Sequence, residues 1–317
     1  MMKIVVLDAA HANPGDLSWE PIDKIGELRI YQRTSSDQLI ARALDADVII
    51  TNKVVLDKAA FAELPKCQLV CLLATGYNNI DLSAAREHNV TVCNAVGYST
   101  FAVAQHVFAL ILHLTNHVAQ HDNWVQNGMW SQHDWSHVIS PISELRDRTL
   151  GIYGFGRIGK QVATLAAAFG MNIVAHHRHP MRDAQRGIRF LSLEEVFEVS
   201  DIISLHAPLS ADNHNIVDAS LLNRLKTNAI LVNTGRGGLI NESDLAEFLH
   251  IRSDVQVALD VLAEEPPPGD HPLVGLRNCI ITPHVAWAAY EARKKLLEVV
   301  HDNIMSFRAG TPINVVS

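Results

Sequence analysis

Three polar side chains in the second half of the chain each follow an apolar, strand-like run and stand beside glycine or proline. Arg236 lies in LVNTGRGGLIN, Glu265 in ALDVLAEEPPPGD and His284 in IITPHVAW. An arginine's planar fork of donors could grip an anionic substrate. A histidine could exchange a proton with a carbonyl or hydroxyl oxygen, while a glutamate orients the ring and favours its charged form. Taken singly, each residue has a plainer reading: a surface ion pair, a solvated carboxylate, a hydrogen-bonded structural imidazole. The case for chemistry needs all three together, which requires parallel strands whose carboxyl ends share one edge.

A second constellation tells where a cofactor would meet that edge. In TLGIYGFGRIGK, residues 149–160, Gly154, Gly156 and Gly159 form a G-x-G-x-x-G between a short buried strand and a helix opening with Arg157 and Ile158. In a dinucleotide-binding turn the first glycine makes the tight bend, the second lets the backbone approach a pyrophosphate, and the third allows close helix-strand packing. The N–H groups at the positive end of the helix then hold the phosphates. A glycine-rich turn before an ordinary helix is the alternative, and the order strand, turn, helix favours the dinucleotide. The next strand, in GMNIVAHHRHP, brings His177 to the place where an NAD-binding fold of this kind carries an acid for the ribose hydroxyls, and Arg178 follows. An arginine there could take a 2′-phosphate by charge-assisted bonds, so NADP(H) is the favoured cofactor. NAD(H), with Arg178 stacked on the adenine, stays open.

The elements that must position these groups can be read from apolar periodicity. Strand-like runs at residues 3–8, 48–51, 69–74 and 90–93, with a helical pattern at 36–44, make a small parallel α/β unit. Residues 100–119 read as one long helix with too broad an apolar face for a surface, suited to linking two domains or to a subunit interface. Residues 121–141 hold Trp124, Trp130 and Trp135 without a clear period. They read as an arm embracing a second subunit, or as a packed surface loop. Strands at 173–176, 202–206, 229–234, 256–259 and 279–282 then alternate with helices at 193–199, 219–225 and 242–250, as in a doubly wound sheet. A last helix at 288–308 lies beyond that sheet and is expected to return to the N-terminal unit. The expected domains are 1–99 with 288–317, and 100–287.

Composition narrows the partners. The 317 residues carry 26 basic and 34 acidic side chains, a net charge of −8, with 48% hydrophobic and 19% charged residues. This fits a folded α/β protein and offers no basic run for nucleic acid. No apolar stretch reaches membrane-spanning length, and the first ten residues lack a basic leader and cleavage site, so a cytoplasmic protein with no membrane partner is expected. Cys67, Cys71, Cys93 and Cys279 read as reduced, mostly buried thiols, and no spacing supports a metal site.

Six motifs in order, LATGYNNID, TLGIYGFGRIGK, HAPLSADNHNIV, LVNTGRGGLIN, ALDVLAEEP and TPHVAW, resemble those of the D-isomer-specific 2-hydroxyacid dehydrogenases along nearly the whole chain. The resemblance implies an α/β fold of two Rossmann-like parallel-sheet domains around a cleft: a flavodoxin-like substrate domain and a doubly wound NAD(P)-binding domain, usually in a homodimer. It implies Arg236 as substrate binder, Glu265 and His284 as the acid/base pair, and backbone N–H groups around Gly76 and Tyr77 as a carboxylate seat. It also implies that Asp260 helps place the nicotinamide carboxamide and that His206, Ala207, Pro208 and Thr234 line the nucleotide site. Lys53 matches a basic or polar substrate contact, with a solvated turn lysine as the equal alternative. Trp287 could cover the nicotinamide or substrate, or pack in a core or interface.

Within the family the chain looks most like glycerate dehydrogenases, also called hydroxypyruvate reductases. The expected reaction is therefore hydride transfer between NAD(P)H and a small 2-oxo acid, hydroxypyruvate or glyoxylate, giving D-glycerate or glycolate. Glutamate at position 265 argues against the formate dehydrogenases, which carry glutamine there. A broad 2-oxo acid reductase and a phosphoglycerate dehydrogenase are the runners-up. A non-catalytic NAD(P)-sensing regulator is the reading from another class.

Overall fold

The computed structural model describes residues 1–317. Its strands are short runs of β-branched and aliphatic residues buried on both faces, as Val48–Thr51, Leu69–Leu72, Ile202–Leu205 and Ile230–Asn233 are throughout. Runs covered on both sides suit parallel strands, whose crossover helices lie on both faces of the sheet. By its contacts the chain divides into two units, Met1–Ser99 with Ala288–Ser317, and Thr100–Trp287.

The first unit is a five-stranded parallel sheet of β1 (Lys3–Val6), β2 (Glu27–Ile30), β3 (Val48–Thr51), β4 (Leu69–Leu72) and β5 (Thr91–Cys93), in the order β2-β1-β3-β4-β5. Helix Tyr290–Arg308 packs against β4, so the C-terminal segment completes this unit. Its buried core includes Leu39, Ile49, Phe61, Val70 and Leu72. Each aliphatic side chain so buried contributes about 1.5–3 kcal/mol.

The second unit is a seven-stranded parallel sheet of β6 (Thr149–Tyr153), β7 (Asn172–His176), β8 (Ile188–Phe190), β9 (Ile202–Leu205), β10 (Ile230–Asn233), β11 (Gln256–Leu259) and β12 (Cys279–Ile281). The order β12-β11-β10-β9-β6-β7-β8 reverses between β6 and β9, which makes the carboxyl ends of those two strands the switch point of a doubly wound sheet. Helix Thr100–Asn116 buries Val103, Ala104, Val107, Phe108, Ile111 and Leu114, and packs against helix Arg157–Ala168, β10 and β11.

Three local expectations change. Strands β2 and β8 are absent from the sequence reading because ELRI and IRF are edge strands of four and three residues, too short for their alternation to stand out. The helix expected over 100–119 stops at Asn116, where His117 takes a left-handed φ of +50° and a second helix, Val118–Gln126, begins. The tryptophan segment is thus partly helical, with a further turn at Trp130–Gln132, rather than irregular from 121. No single helix is long and apolar enough to cross a membrane. All four cysteines are free, and burial pushes the thiols of Cys67 and Cys279 up to about 12 and that of Cys93 to about 11.

Candidate active site

At the switch point the turn after β6 has the shape its glycines imply. Gly154 has φ +96°, and a Cβ there would fall on the backbone of His206 and Ala207 at the end of β9. A Cβ on Gly159 would fall on the Gly154 carbonyl, so the helix can pack this close only without one. Gly156 differs, since a Cβ there would meet nothing within 4 Å. It is the N-cap of helix Arg157–Ala168 and no side chain caps that helix, so the N–H groups of the first turn, Arg157 and Ile158 included, are left without a capping acceptor. Nearby, Thr234 Oγ1 at the end of β10 is buried and without a hydrogen-bond partner. An uncapped helix start beside open space, and an orphaned hydroxyl on the same sheet edge, fit a bound dinucleotide.

His206, just past β9, is half-buried by surface area, yet its ring is packed closely enough that burial pushes the imidazole down to about 3. It therefore stays neutral, with Nε2 2.8 Å from Ser204 Oγ. Ala207 is buried beside it and Pro208 is exposed. Past β7, His177 is engaged at both ring nitrogens: Nδ1 accepts the Phe155 N–H at 3.2 Å and Nε2 lies 3.0 Å from Asp183 Oδ2. Asp183 also takes Lys160 at 2.6 Å and Arg182 at 2.7 Å, and these cations, Lys160 foremost, hold its carboxyl well below the usual range. Arg178 is exposed and paired with no carboxylate. Asp183 lies six residues beyond the strand-end position, and its proximity to His177 needs the tertiary fold to be seen.

The three chemical candidates stand past β10, β11 and β12, three adjacent parallel strands, and so at one carboxyl edge. The buried Asn233 side chain shapes the first loop, donating to the Arg236 carbonyl at 2.9 Å and accepting the Gly235 N–H at 3.0 Å. Arg236 is half-buried, with one bond from Nη1 to the Gly235 carbonyl and no carboxylate partner. A Cβ on Gly237 would fall on the backbone of Leu262, which brings this loop against the segment carrying Glu265.

Glu265 and His284 meet directly. Glu265 Oε2 lies 2.6 Å from His284 Nδ1, and its Oε1 accepts the Leu262 N–H at 3.2 Å. A carboxylate that short makes Nδ1 the protonated nitrogen and leaves Nε2 to exchange a proton with a ligand. Both side chains are about 30% exposed, at 30% and 29%, open enough to be reached. His284 has φ +54°, and its N–H donates to the carbonyls of Asp260 and Thr282 at 2.8 and 2.9 Å. Asp260, 1% exposed, accepts the N–H groups of Val285 and Ala286 at 2.9 and 2.8 Å, so it braces the histidine loop from beneath. Trp287 Nε1 donates to the His284 carbonyl at 2.9 Å.

In the first unit, Lys53 and the pair Gly76 and Tyr77 follow β3 and β4, at the carboxyl edge of that sheet. Asp8, 2% exposed at the end of β1, accepts the N–H groups of Asn52 and Lys53 at 2.8 and 2.6 Å and fixes that loop, while the Lys53 side chain is exposed. The loop after β4 is tied by Thr75 Oγ1, which donates to the Ala95 carbonyl at 2.7 Å, and by Asn79 Nδ2, which donates to the Val54 carbonyl at 2.8 Å. Between those ties the N–H groups of Gly76 and Tyr77 donate to no group of the protein. Two adjacent free N–H groups on a braced loop can receive an anion.

Comparison with known proteins gives the family. Residues 108–286 match the family "D-isomer specific 2-hydroxyacid dehydrogenase, NAD binding domain". The chain is 39% identical to a hydroxypyruvate reductase of Blautia hydrogenotrophica over 322 residues, covering 100% of both. It is 35% identical to a glycerate dehydrogenase of Methylorubrum extorquens, covering 92% of each. Among solved structures, an acyclic imino acid reductase in complex with NADPH and D-Arg superposes with a TM-score of 0.88 at 32% identity, covering 100% of both chains.

Proposed function

The chain belongs to the D-isomer-specific 2-hydroxyacid dehydrogenase family, and from that footing we propose that it reduces hydroxypyruvate or glyoxylate with NADPH, giving D-glycerate or glycolate. Its general activity is that of a nicotinamide-dependent oxidoreductase acting on small 2-oxo acids. The observation that carries the reductase reading is the 2.6 Å contact between Glu265 and His284, an acid/base pair on the sheet edge beside the glycine turn, and the choice of hydroxypyruvate or glyoxylate follows the relatives' names.

When bound, the nicotinamide supplies the hydride, and the uncapped turn at Gly154 to Gly159 would hold the dinucleotide phosphates. Arg236 binds the substrate carboxylate through its guanidinium fork, which no carboxylate of the protein engages. On the first unit, the Gly76 and Tyr77 N–H groups can receive an anion and Lys53 can meet a polar ligand. His284, protonated and anchored through Nδ1, directs Nε2–H at the carbonyl oxygen, polarises it and delivers the proton as the oxygen gains charge. Glu265 keeps the ring oriented and stabilises its positive form. The unpartnered Thr234 hydroxyl would give a bound cofactor a polar contact, whereas the buried Asp260, engaged by Thr282, Val285 and Ala286, would act on it only through the loop it braces.

The preference for NADPH rests on charge. The one carboxylate near the end of β7, Asp183, is surrounded by Lys160, Arg182 and His177. With its charge so engaged it is a poor acceptor for ribose hydroxyls, and the exposed Arg178 is left to meet a phosphate. His177 contributes by fixing the turn rather than by a free imidazole.

Replacing the two members of the pair tests the acid/base assignment. His284→Gln removes the proton donor and should lower kcat for reduction at least about a hundredfold. Glu265→Gln keeps an acceptor for Nδ1 but loses the charge-assisted contact, and should lower kcat about tenfold while dinucleotide affinity, read by titration with NADPH, stays within about twofold. Unchanged kcat in both variants would falsify the role.

A further inference from the structure

Helix Thr100–Asn116 carries an imidazole that none of these roles uses. His106 Nε2 lies 3.2 Å from Thr282 Oγ1 and 3.6 Å from Oδ1 of Asp260. Thr282 Oγ1 donates to that same Oδ1 at 2.6 Å. A hydroxyl has one proton, and Thr282 spends it on a carboxylate that can only accept, so the His106 ring must be the donor, through Nε2–H. The direction of the chain is then set: His106 to Thr282, Thr282 to Asp260, and Asp260 to the N–H groups of Val285 and Ala286.

The far end of that chain is the loop that carries the proton donor. His284 at φ +54° lies in the left-handed region, which a non-glycine residue keeps only where its surroundings hold it. Asp260 is the holder. Its side chain is fully buried, so it cannot turn to water for a replacement donor, and its orientation depends on the groups that donate to it.

We propose that His106 is a positioning residue for the reaction: through Thr282 it fixes the Asp260 carboxylate, and with it the loop that aims His284. The proposal rests on the reading of His284 as proton donor. Losing the His106 donor frees Thr282 to rotate, weakens the grip of Asp260 on residues 285 and 286, and lets the His284–Glu265 contact lengthen. The spread in the direction of Nε2 lowers the turnover rate more than it lowers binding. The charged groups around the loop are Glu265 at His284 Nδ1, Asp260 beneath it and His106 behind Thr282, with Arg236 on the loop after β10, two strands away on the same edge.

The experiment compares His106→Ala and His106→Gln with the unaltered enzyme. The readouts are kcat and KM for hydroxypyruvate at saturating NADPH, and the NMR resonance of the His284 Nδ1 proton held by Glu265, assigned with His284→Gln. Removing the donor should lower kcat about tenfold with KM changed by less than about threefold, and move that resonance upfield as the short contact lengthens. Glutamine, whose amide can donate to the same hydroxyl, should recover most of both. Full activity with an unmoved resonance in His106→Ala overturns the proposal, as does a loss that glutamine does not recover and that leaves the resonance in place. If the unaltered enzyme reduces no 2-oxo acid, the functional reading fails on its own. The resonance then decides: an upfield shift in His106→Ala keeps the positioning role, and an unchanged position ends it.

Discussion

The chemistry turns on which nitrogen of His284 faces the protein. With Nδ1 taken by Glu265, the ring offers Nε2 outward, and only the tertiary pairing shows this, because 19 residues of chain separate the two. Arg236 matters through its shape as much as its charge. Arg236→Lys keeps the charge and loses the fork, and should lower kcat/KM for the 2-oxo acid about a hundredfold while cofactor binding, read by nucleotide titration, stays within about twofold. Arg178 is an independent case, exposed and unpaired next to the latched His177. Arg178→Ala should lower the NADPH-to-NADH efficiency ratio at least about tenfold, and an unchanged ratio would remove Arg178 from the phosphate assignment.

At the scale of elements, the glycine turn makes two substitutions of similar size behave differently. Gly154→Ala puts a side chain at φ +96° into the His206–Ala207 backbone, and should cost at least about 3 kcal/mol, read as a large fall in melting temperature. Gly156→Ala has room in the protein and an ordinary φ of −83°, so it should melt within a few degrees of the unaltered chain while its dinucleotide affinity falls about tenfold or more. Equal melting losses in both would contradict the assignment of Gly156 to phosphate approach. The buried strands, the turn and the edge carrying Arg236, Glu265 and His284 were legible in the chain because apolar runs and glycines are local signals. Thr282 and Asn233, whose bonds shape those loops, carry no local signal at all. Asp183 and His106 meet partners that only folding brings near, and β2 and β8 escape because alternation over three or four residues is too brief to tell from a loop. His117 breaks the long helix through a left-handed φ that no glycine or proline announces.

At the scale of the whole molecule, residues 118–142 expose Val118, Val125, Trp130, Trp135, Val138 and Ile142, with Trp135 at 89% and Trp130 at 50%. The segment is braced from within: Trp124 stacks on His137 at 5.2 Å, and Trp130 Nε1 donates to the Trp135 carbonyl at 2.7 Å. Large apolar side chains held outward on an ordered arm suit a second copy of this chain, and we propose a homodimer through it. Light scattering after size exclusion should give twice the mass of one chain, and Trp135→Ser with Val138→Ser should shift the population to monomer. Two copies persisting unchanged would move the interface elsewhere. Stability should weaken in acid, since His206 is kept neutral in the fold down to about 3 whereas its ordinary value is 6.5. The unfolded chain binds that proton first, so the contribution is whole above 6.5 and is lost progressively as pH falls towards 3. His206→Gln should flatten the loss within that window, measured by denaturant unfolding at several pH values. The most direct test of the account is the initial rate of nicotinamide oxidation with NADPH and with NADH, each against hydroxypyruvate, glyoxylate, pyruvate and 3-phosphohydroxypyruvate. The account predicts the highest kcat/KM for hydroxypyruvate or glyoxylate with NADPH. No turnover of any of the four acids, with dinucleotide binding intact, would contradict it and favour a nucleotide-sensing role.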